Sequence, residues 1–598
     1  MIGDTVHGIR VDYSRDSLFD ELGIKRLKES YMREDEKSPQ ERFAYVSKAF
    51  SSNSEHAQRL YEYCSKHWLS YSTPILSFGR SKRGLPISCF LPWLDDTAEG
   101  LVNTLAEVNW LSMLGGGVGI GIGIRSADDK SVGVMPHLRT YDASSLAYRQ
   151  GRTRRGSYAA YLDVSHPDIL IFLEMRKPTG DPNMRTLNLH HGINITDDFM
   201  EIVERCMKDK DADDTWELRD PHSGEVRERV SARDIWQRIL EIRMQTGEPY
   251  LHFIDTSNKK MPQFQKDLGL KIRQSNLCSE IILPTDKDRT AVCCLSSVNL
   301  EYYDDWKMDK LFLRDVAEML DNVLQYFIDN APVHVNRAKY SASRERSIGV
   351  GALGYHAHLQ RNGVPFESAL AKSRNMQIFK HIRKGLDDAN KQLGSERGEA
   401  PDAVGTGLRF SHVMAIAPNA SSSIIMGNTS PSIEPYRANA YRQDTLSGSA
   451  LNKNKYLDKI IREHCKSNEE KYNETWSSII ANDGSVQHLD WMDEYTRDIF
   501  KTSMEIDQRW IVEHAADRQS YIDQAQSVNL FFRPDADVRY LHAVHFMAWK
   551  MGLKTLYYCR SEKIGKADKV AKRIERDVIK ELDMKAIVEG DTCLACEG

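Results

Sequence analysis

The chain has 598 residues, a formal net charge of −5 at pH 7, and 41% hydrophobic residues. Its length is sufficient for at least one large core, and several domains are the usual expectation. The acidic balance argues against nucleic acid as the main partner. No apolar run approaches the length of a membrane span, and residues 1–16 lack a basic region followed by an apolar one. We therefore expect neither a transmembrane segment nor a signal peptide.

The predicted elements begin with helices and continue as an alternation of strands and helices. Ser38 before Pro39 has the pattern of a helix N-cap. Residues 233–244 have helical periodicity, while residues 554–559 have the pattern of a buried strand. This alternation favours an α/β fold. We predict three regions, a helical segment, one large domain and a flexible polar tail, over residues 1–70, 71–562 and 563–598.

The chain contains ten cysteines, too few for a disulfide scaffold at this length, so most are expected to be reduced thiols of a cytoplasmic protein. Cys593 and Cys596 form a CxxC pair near the end of the sequence. Such a pair is half of a zinc site or a redox dithiol. No second CxxC or nearby histidine pair supplies the other zinc ligands, so a dithiol that exchanges with other disulfides is favoured.

Cys278 lies between Asn276 and Glu280, two polar residues at alternate positions. If this stretch is extended, the three side chains point to the same face, because strand side chains alternate. An amide, a thiol and a carboxylate would then line one cavity. The alternative is a small buried cysteine in an apolar strand, and the flanking polar residues argue against it.

Two further cysteines and a tyrosine pair are candidates for redox chemistry. Cys89 and Cys293 could cycle between dithiol and disulfide if they meet in the fold, which their spacing alone does not establish. Tyr557 and Tyr558 are adjacent phenols in a predicted strand, where packing is the ordinary role. The cysteines without a polar partner pattern are interpreted as structural: Cys64, Cys206, Cys465 and Cys559.

Two stretches of small residues suggest close backbone approach or phosphate binding. Residues 115–123 superficially resemble a dinucleotide loop, but a helical-looking segment, residues 104–114, precedes them where that motif requires a strand. Close approach of this backbone to a ligand or to another strand is therefore favoured. Residues 417–425 place consecutive hydroxyls before an apolar run, which predicts either an anion-binding helix N-terminus or a plain serine N-cap.

From Thr73 onward, the order and spacing of these pieces resemble the large catalytic subunit of class I ribonucleotide reductases. The resemblance covers nearly the whole length beyond that residue. The matching pieces are Ser72-Thr73-Pro74, Ser88-Cys89, Gly115-Gly116-Gly117, residues 151–156, 166–169, 276–280, 291–293 and 418–423, Tyr557-Tyr558 and the terminal CxxC.

The resemblance implies a ten-stranded α/β barrel, made of two five-stranded parallel halves that run antiparallel, with a finger loop inside. Cys278 would lie on that loop and, as a thiyl radical, abstract the 3′-hydrogen of a ribonucleotide. Glu280 would take the 3′-hydroxyl proton, and Asn276 would hydrogen-bond the ribose hydroxyls. Cys89 and Cys293 would protonate the departing 2′-hydroxyl and supply two electrons, ending as a disulfide.

The resemblance also implies how electrons and the radical arrive. Cys593 and Cys596 would re-reduce the oxidised pair, and thioredoxin or glutaredoxin would reduce them in turn. Tyr558 would receive an oxidising equivalent from a separate metal-containing small subunit, and Tyr557 would pass it to Cys278. Cys294 is an alternative to Cys293, but the match of Ala-Val-Cys favours Cys293.

The remaining implications concern nucleotides and assembly. A homodimer is expected, with ATP or deoxynucleotide effectors bound as magnesium complexes and with no metal site or cofactor in this chain. The expected effector contacts are Asp96, Arg125, Lys177 and Arg185. The expected substrate contacts are Thr73, Ser88, Gly117, Pro418, Asn419, Ala420, Ser421 and Ser422.

The sequence departs from the family pattern in two places. Cys89 comes too early for an N-terminal ATP-binding cone, so we expect the dATP activity switch to be missing. The first specificity loop, residues 125–136, is several residues shorter than in many relatives, while the second, residues 177–186, is present. The runner-up is an adenosylcobalamin-dependent (class II) reductase. A non-catalytic nucleotide-binding regulator would have lost at least one chemical residue, and none is lost.

Overall fold

The computed structural model describes residues 2–81, 84–148, 156–445 and 448–561. The predicted tail, with Cys593 and Cys596, and the motif residues 151–155 lie outside the described residues. Of the helices within those ranges, none combines the length and the apolarity that crossing a bilayer requires.

The N-terminal region is helical, as predicted, but begins with a hairpin that the sequence pattern does not predict. Strands β1 (Ile2–Val6) and β2 (Ile9–Asp12) pair antiparallel, and only Ile9 and Val11 of β2 are buried, too short an alternation to recognise. Ser38 caps its helix as predicted, because its hydroxyl accepts a hydrogen bond from the Gln40 N–H at 3.1 Å. The helices are α1 (Glu21–Ser30), α2 (Pro39–Ala49) and α3 (Ser54–Ser65).

The middle of the chain alternates strands and helices, and includes the predicted helix at residues 233–244. Its elements are β3 (Leu69–Tyr71), α4 (Thr73–Leu76), β4 (Cys89–Leu91), β5 (Trp93–Leu94), α5 (Ala98–Met113), β6 (Gly117–Ile122), α6 (Val134–Ala147), β7 (Tyr158–Asp163), α7 (Ile169–Glu174), β8 (Leu189–Ile195), α8 (Asp197–Lys208), β9 (Thr215–Arg219), β10 (Val226–Ser231), α9 (Ala232–Thr246), β11 (Tyr250–Phe253), α10 (Ile254–Lys259) and α11 (Gln263–Asp267).

The rest of the described chain is richer in helix. Its elements are β12 (Ala291–Asn299), α12 (Tyr303–Trp306), α13 (Phe312–Asn330), α14 (Asn336–Glu345), β13 (Ile348–Leu353), α15 (Tyr355–Arg361), α16 (Ala369–Arg397), α17 (Ala420–Ile425), β14 (Ala440–Thr445), β15 (Gly448–Lys453), α18 (Lys455–Cys465), α19 (Glu469–Ala481), α20 (Glu494–Ile499), α21 (Gln508–Gln519), β16 (Leu530–Phe532), α22 (Val538–Lys550), β17 (Thr555–Leu556) and β18 (Cys559–Ser561).

One curled sheet contains strands from the middle of the chain and from the part that follows it. Strands β4, β6, β7, β8 and β11 are parallel neighbours in that order, and β12 and β13 are parallel to each other. The two sets run antiparallel where β12 pairs β4 and where β17 pairs β11. Parallel bridges from Val350 to Met414 and from Ile416 to Gln526 extend the second set, and the Tyr557 N–H donates to Val528 O at 2.8 Å. Each half thus has five extended segments, as the resemblance implies.

The segment between α11 and β12 passes through the barrel as the expected finger loop. Residues 274–283 are each at most 1% exposed, so the polar groups of their backbone need partners inside the protein. The loop provides some of these itself: the Ser275 hydroxyl donates to Ile281 O at 2.7 Å, and the Ile281 N–H donates to Asn276 Oδ1 at 3.1 Å. The barrel provides others, such as the Ala525 N–H, which donates to Glu280 O at 2.9 Å.

Two predicted strands differ from the structure. Residues 276–280 form a turn, because Ser279 has a φ of 68° and its N–H donates to Asn276 O at 3.4 Å. The condition under which the three side chains would share one face, an extended stretch, is therefore not met. The predicted strand over residues 554–559 is interrupted at Tyr557 and Tyr558, which lie between β17 and β18.

Strand β6 explains the glycine-rich stretch. A Cβ atom on Gly119 would lie 2.4 Å from Ser275 O, and one on Gly121 would lie 2.7 Å from the Gln274 side chain. The finger loop therefore packs directly against the glycine faces of β6. The predicted close backbone approach is confirmed, and helix α5 precedes the stretch as predicted.

We predict that Gly119→Ala loosens the finger loop. The added methyl group would collide with loop backbone, which cannot rotate away as a side chain can, so the free energy of unfolding should fall by about 1–3 kcal/mol. Chemical denaturation measures this loss. Gly385→Ala on α16 is the control, because its new Cβ would meet only the movable Leu313 side chain. Equal losses in the two variants would contradict the packing argument.

A buried lysine connects the last two extended segments of the second barrel half, those around residues 524–528 and 554–557. The Lys554 ammonium donates to Asp523 O at 2.5 Å and to Gln524 O at 2.8 Å, and the residue is 2% exposed. Burial lowers the pKa of Lys554 to about 7, because the charged form loses its hydration.

This pKa predicts a pH dependence of stability. Between pH 7 and the ordinary lysine pKa near 10.4, the unfolded chain binds more protons at this site than the folded one, so stability rises with pH by up to about 1.4 kcal/mol per unit. Lys554→Met should remove this contribution. Denaturation curves at pH 7, 8 and 9 measure it, and Lys384→Met, at an exposed lysine, should leave the slope unchanged. A slope that survives Lys554→Met would contradict the assignment.

Candidate active site

Cys89 and Cys293 meet at the junction between the two barrel halves. They are directly opposite partners in the antiparallel pairing of β4 with β12, and both are fully buried. Opposite residues of antiparallel strands bring their Cβ atoms to about 5 Å. Two cysteines that lie 204 positions apart in the sequence are therefore adjacent in space.

The choice between Cys293 and Cys294 follows from the alternation of strand faces. Cys293 packs in an inner cluster with Cys89, Cys278 and Tyr557. Cys294 belongs to the core outside the barrel, where its Sγ lies 3.4 Å from Leu320 O of α13. The structure therefore brings Cys293, and not Cys294, to the face that Cys89 and the finger loop share.

The finger loop brings an amide and a carboxylate to Cys89. Asn276 Nδ2 donates to Cys89 Sγ at 3.3 Å, and the Cys89 thiol donates to Glu280 Oε1 at 3.7 Å. Glu280 Oε2 also lies 3.2 Å from the Ser527 hydroxyl oxygen. The amide and the carboxylate of the finger loop therefore flank the thiol of Cys89, whereas the sequence analysis placed them beside the thiol of Cys278.

A chain of phenols leads away from Cys278. The Tyr557 hydroxyl lies 3.5 Å from Cys278 Sγ, and the rings of Tyr557 and Tyr558 are 4.3 Å apart. Tyr250 of β11 completes the cluster, with its ring 4.8 Å from that of Tyr557 and 5.2 Å from that of Tyr558. Burial raises the pKa of Tyr558, and Glu248 adds to the effect, so this phenol is protonated at neutral pH.

Charged groups surround the outer end of this chain. Glu248 Oε1 lies 2.5 Å from His190 Nδ1, and Glu248 Oε2 lies 3.4 Å from Arg176 Nε. Although burial opposes it, these two partners hold the pKa of Glu248 well below its usual range. The Arg560 guanidinium lies 4.3 Å from the centre of the Tyr558 ring.

An apolar cavity of about 570 Å³ lies next to this end, between helices α8, α9 and α22. Its lining includes Met244, whose sulfur is 3.7 Å from Cys559 Sγ, the residue after Tyr558. Trp236 and Leu541 also line it. One lining residue of the cavity therefore contacts the residue that follows the tyrosine pair.

Of three predicted substrate contacts, Ser88 and Gly117 lie beside β4 and β6, and Thr73 begins α4. The Thr73 hydroxyl lies 3.2 Å from the Tyr31 hydroxyl of the N-terminal region. The Gly117 N–H donates to Ser88 O at 2.7 Å, which fixes the start of β6 beside Cys89. These residues are all buried.

The other predicted substrate contacts, Pro418 to Ser422, form the turn into α17. Asn419 has a φ of 57°, and its side chain is held by the Ser297 hydroxyl and by Ala352 O. It is the N-cap residue but makes no side-chain cap hydrogen bond, so the alternative of a plain serine N-cap is wrong. Arg26 of α1, which the sequence did not indicate, donates to the Ser421 hydroxyl at 3.2 Å.

The predicted effector residues form two separate groups. Arg125 Nε lies 3.6 Å from Asp96 Oδ2, and His222, which the sequence did not indicate, lies 3.2 Å from the same oxygen. Lys177 lies 3.3 Å from Glu174, and Arg185 Nε donates to Thr179 O at 2.7 Å. The structure thus brings Asp96 and Arg125 together, while Lys177 and Arg185 contact residues near them in the sequence.

Three further residues hold the finger loop and escaped the sequence analysis. The Tyr161 hydroxyl donates to Asn276 O at 2.6 Å, and the Ser527 hydroxyl donates to Cys278 O at 2.5 Å. Gln524 Oε1 accepts from the Ile282 N–H at 3.3 Å. Residues 523–527, which are polar except for Ala525 and lie between Ile522 and Val528, were the one available signal for two of them.

Comparison with known proteins gives a consistent family. The model described as "Ribonucleotide reductase, all-alpha domain" matches residues 17–84, and the model described as "Ribonucleotide reductase, barrel domain" matches residues 87–403 and 401–559. The ribonucleoside-diphosphate reductase large subunit of Invertebrate iridescent virus 3 is 54% identical, over 94% of this chain and 97% of that protein.

More distant relatives extend the comparison to other viruses and to bacteria. The ribonucleoside-diphosphate reductase large subunit of Vaccinia virus is 31% identical over 98% of this chain and 82% of that protein. Among solved structures, the class Id ribonucleotide reductase alpha subunit of Actinobacillus ureae is 32% identical with a TM-score of 0.80, covering 93% of this chain and 99% of that one. Together with the barrel and its finger loop, these matches show that the chain belongs to the ribonucleotide reductase large-subunit family.

Proposed function

We propose that this chain is the catalytic subunit that reduces ribonucleoside diphosphates to 2′-deoxyribonucleotides by thiyl-radical chemistry. The observation that carries the proposal is the Tyr557 hydroxyl 3.5 Å from the Cys278 thiol, inside a cluster that also holds Cys89 and Cys293. The names of the similar viral proteins support the diphosphate as the substrate.

The tyrosine chain supplies the radical. Tyr558, once oxidised, takes a hydrogen atom equivalent from Tyr557, and the Tyr557 radical takes one from the Cys278 thiol. The result is a Cys278 thiyl radical and two intact phenols. The high pKa of the buried Tyr558 supports transfer of electron and proton together, because the phenolate is not accessible at neutral pH.

The thiyl radical then activates the substrate. Cys278 abstracts the 3′-hydrogen, and Glu280 accepts the 3′-hydroxyl proton as a general base. The 2′-hydroxyl leaves as water with one proton from the cysteine pair, Cys89 and Cys293. The two electrons and the other proton of the pair form the new C2′–H bond, and the pair becomes a disulfide. Glu280 returns its proton to the 3′-oxygen. Cys278 finally returns its hydrogen atom to C3′. Asn276, which binds Cys89 in this structure, turns its amide to the ribose hydroxyls.

The turn at residues 418–422 provides the phosphate site. The first-turn N–H groups of α17 lack a side-chain cap, and the hydroxyls of Ser421 and Ser422 lie beside them. Arg26 adds a positive charge at the Ser421 hydroxyl. Amides, hydroxyls and a guanidinium are the donors that phosphate oxygens accept best. Thr73, Ser88 and Gly117 would contact the ribose and base side of the substrate.

The radical originates in a metal-containing small subunit. A relay of two phenols is needed only if the oxidising equivalent arrives from outside the barrel, and the apolar cavity beside Cys559 offers a docking surface for a segment of that subunit. The structural neighbour of class Id supports this reading over an adenosylcobalamin-dependent enzyme.

The remaining partners follow from the same proposal. A dithiol, Cys593 with Cys596, re-reduces the Cys89–Cys293 pair, and thioredoxin or glutaredoxin re-reduces that dithiol. Nucleotide effectors bind in a homodimer through Asp96, Arg125, Lys177 and Arg185. The proximity of Arg125 to Asp96 supports only the first two as one site.

Reconstitution distinguishes the two radical sources. Purified protein is assayed for deoxynucleotide with a candidate small subunit or with adenosylcobalamin, each with reductant and effector. We expect product only with the small subunit. Product with adenosylcobalamin alone would replace the class I proposal by class II.

We predict that Cys278→Ser abolishes turnover and leaves nucleotide binding intact. A hydroxyl is far harder to oxidise to a radical than a thiol, whereas the substitution scarcely changes the volume of the side chain. Deoxynucleotide formation and equilibrium binding are measured on the same preparation. Cys64→Ser in α3 is the control, because that cysteine is equally buried but lies outside the inner cluster. Substantial product from Cys278→Ser would overturn the assignment.

We predict that Cys293→Ser and Cys294→Ala have clearly different effects on steady-state turnover. Loss of the Cys293 thiol removes one electron donor of the pair, so multiple turnovers should stop. Cys294→Ala should keep the steady-state rate and lower the free energy of unfolding by about 1 kcal/mol, since that thiol packs outside the barrel. The reverse pattern would assign the pair to Cys89 and Cys294 instead.

A further inference from the structure

The orientation of the Gln524 amide is fixed by its backbone partners. Gln524 Oε1 accepts from the Ile282 N–H at 3.3 Å, and Nε2 lies 3.4 Å from Ile348 O. An N–H can only donate and a carbonyl oxygen can only accept, so a rotated amide would lose both bonds. The donor end of Gln524 therefore faces Cys293, with Nε2 3.3 Å from Sγ.

A hydroxyl adds a second donor to the same sulfur. The Ser347 hydroxyl accepts from Gln524 Nε2 at 3.3 Å and lies 3.8 Å from Cys293 Sγ, to which it donates. Donors in series polarise one another, and both favour negative charge on the sulfur. They oppose burial, which raises the pKa of Cys293 well above its usual value.

Cys89 has a different environment. It accepts an amide hydrogen bond from Asn276, and its sulfur lies 3.7 Å from the Glu280 carboxylate. A carboxylate at that distance in a buried site disfavours negative charge on the sulfur. Of the two sulfurs, Cys293 is therefore the better thiolate and the better leaving group.

We propose that the oxidised pair is always reduced in one direction, with attack on Cys89 and departure of Cys293 as the thiolate. Gln524 and Ser347 act as positioning residues that stabilise this leaving group. The inference rests on the proposed function, which makes Cys89 and Cys293 a disulfide in each turnover.

The step balances as an ordinary thiol–disulfide exchange with a dithiol reductant. The first thiolate of the dithiol reductant forms a bond to Cys89 Sγ while the Cys89–Cys293 bond breaks. The two electrons of the broken bond stay on Cys293. The second thiolate of the reductant attacks the mixed disulfide, forms the oxidised dithiol and releases Cys89. The two protons of the dithiol end on Cys89 and Cys293. Such exchange is faster when the departing sulfur is the more stable thiolate.

The surroundings of Cys293 support the same direction. Gly349 lies so close to its sulfur that a Cβ there would be 3.2 Å away, and Gln524 and Ser347 cover other sides. An attacking sulfur must approach along the axis of the breaking bond, and these three groups take up space around the Cys293 sulfur. Cys89 instead faces the finger-loop residues around the proposed substrate site.

The test maps the mixed disulfide in protein that carries Cys593→Ser and Cys596→Ser, so that only an added thiol reduces the pair. The pair is oxidised by one turnover, exposed briefly to excess glutathione, quenched with acid, alkylated and mapped by peptide mass spectrometry. We expect glutathione on Cys89 about tenfold more often than on Cys293. Equal labelling, or a preference for Cys293, would overturn the proposal.

Variants examine the positioning residues by the same readout. Gln524→Met removes the amide donor at similar volume, and should slow reduction of the pair about three- to tenfold and reduce the preference for Cys89. Gln526→Met is the matched control, since its amide lies on the same segment but donates to Ala515 O and Gln519 Oε1. A general loss of packing would slow both variants without changing which sulfur is labelled, and that result would also overturn the role of Gln524.

The two proposals fail in different ways. If turnover leaves Cys89 and Cys293 as free thiols, the proposed function is wrong, and there is no disulfide whose reduction could have a direction. If the disulfide forms but glutathione does not prefer Cys89, the proposed function stands and only the direction of reduction is wrong. Mapping in the unsubstituted barrel keeps the test decisive even if Gln524→Met does not fold.

Discussion

The structure depends on one constraint, the burial of a polar loop at the centre of a barrel. A loop without access to water must find a partner for every backbone N–H and C=O group inside the protein. The finger loop does so through its own side chains, such as Asn276 and Ser275, and through barrel residues such as Tyr161 and Ser527. These bonds fix the positions of Cys278 and Glu280, so the same contacts that make the loop stable also set the geometry of the site.

Two parts of the barrel are adapted to this loop. Glycines in β6 leave space for its backbone, and the segment at residues 524–527 makes hydrogen bonds to it at three successive points, Cys278, Glu280 and Ile282. The segment that holds the loop is also the one whose Gln524 contacts Cys293. A single strand-like segment therefore contacts both Cys278 and Cys293.

The fold class could be predicted from the sequence. Short local motifs also indicated Cys89, Cys278, Cys293 and the tyrosine pair, which the structure brings into one cluster. The sequence did not predict Tyr161, Gln524 or Ser527, whose contacts join residues more than 100 positions apart and leave no local pattern. The extended conformation considered around Cys278 is not adopted, for a related reason. Tertiary contacts hold Ser279 at a positive φ that propensity does not favour. Arg26 was missed because its role depends on the docking of α1 against α17.

The register of β4 against β12 has a mechanical consequence. Cys89 and Cys293 stand at one of the two seams where the antiparallel halves of the barrel join. A disulfide between them would cross-link the two halves. After its reduction, only hydrogen bonds and packing would hold the halves together at that seam. A cross-link that closes so long a stretch of chain restricts mainly the unfolded state. In the proposed cycle the barrel would thus alternate between a form with the disulfide and a form without it. Its free energy of unfolding would then indicate whether the supply of reductant keeps pace with catalysis.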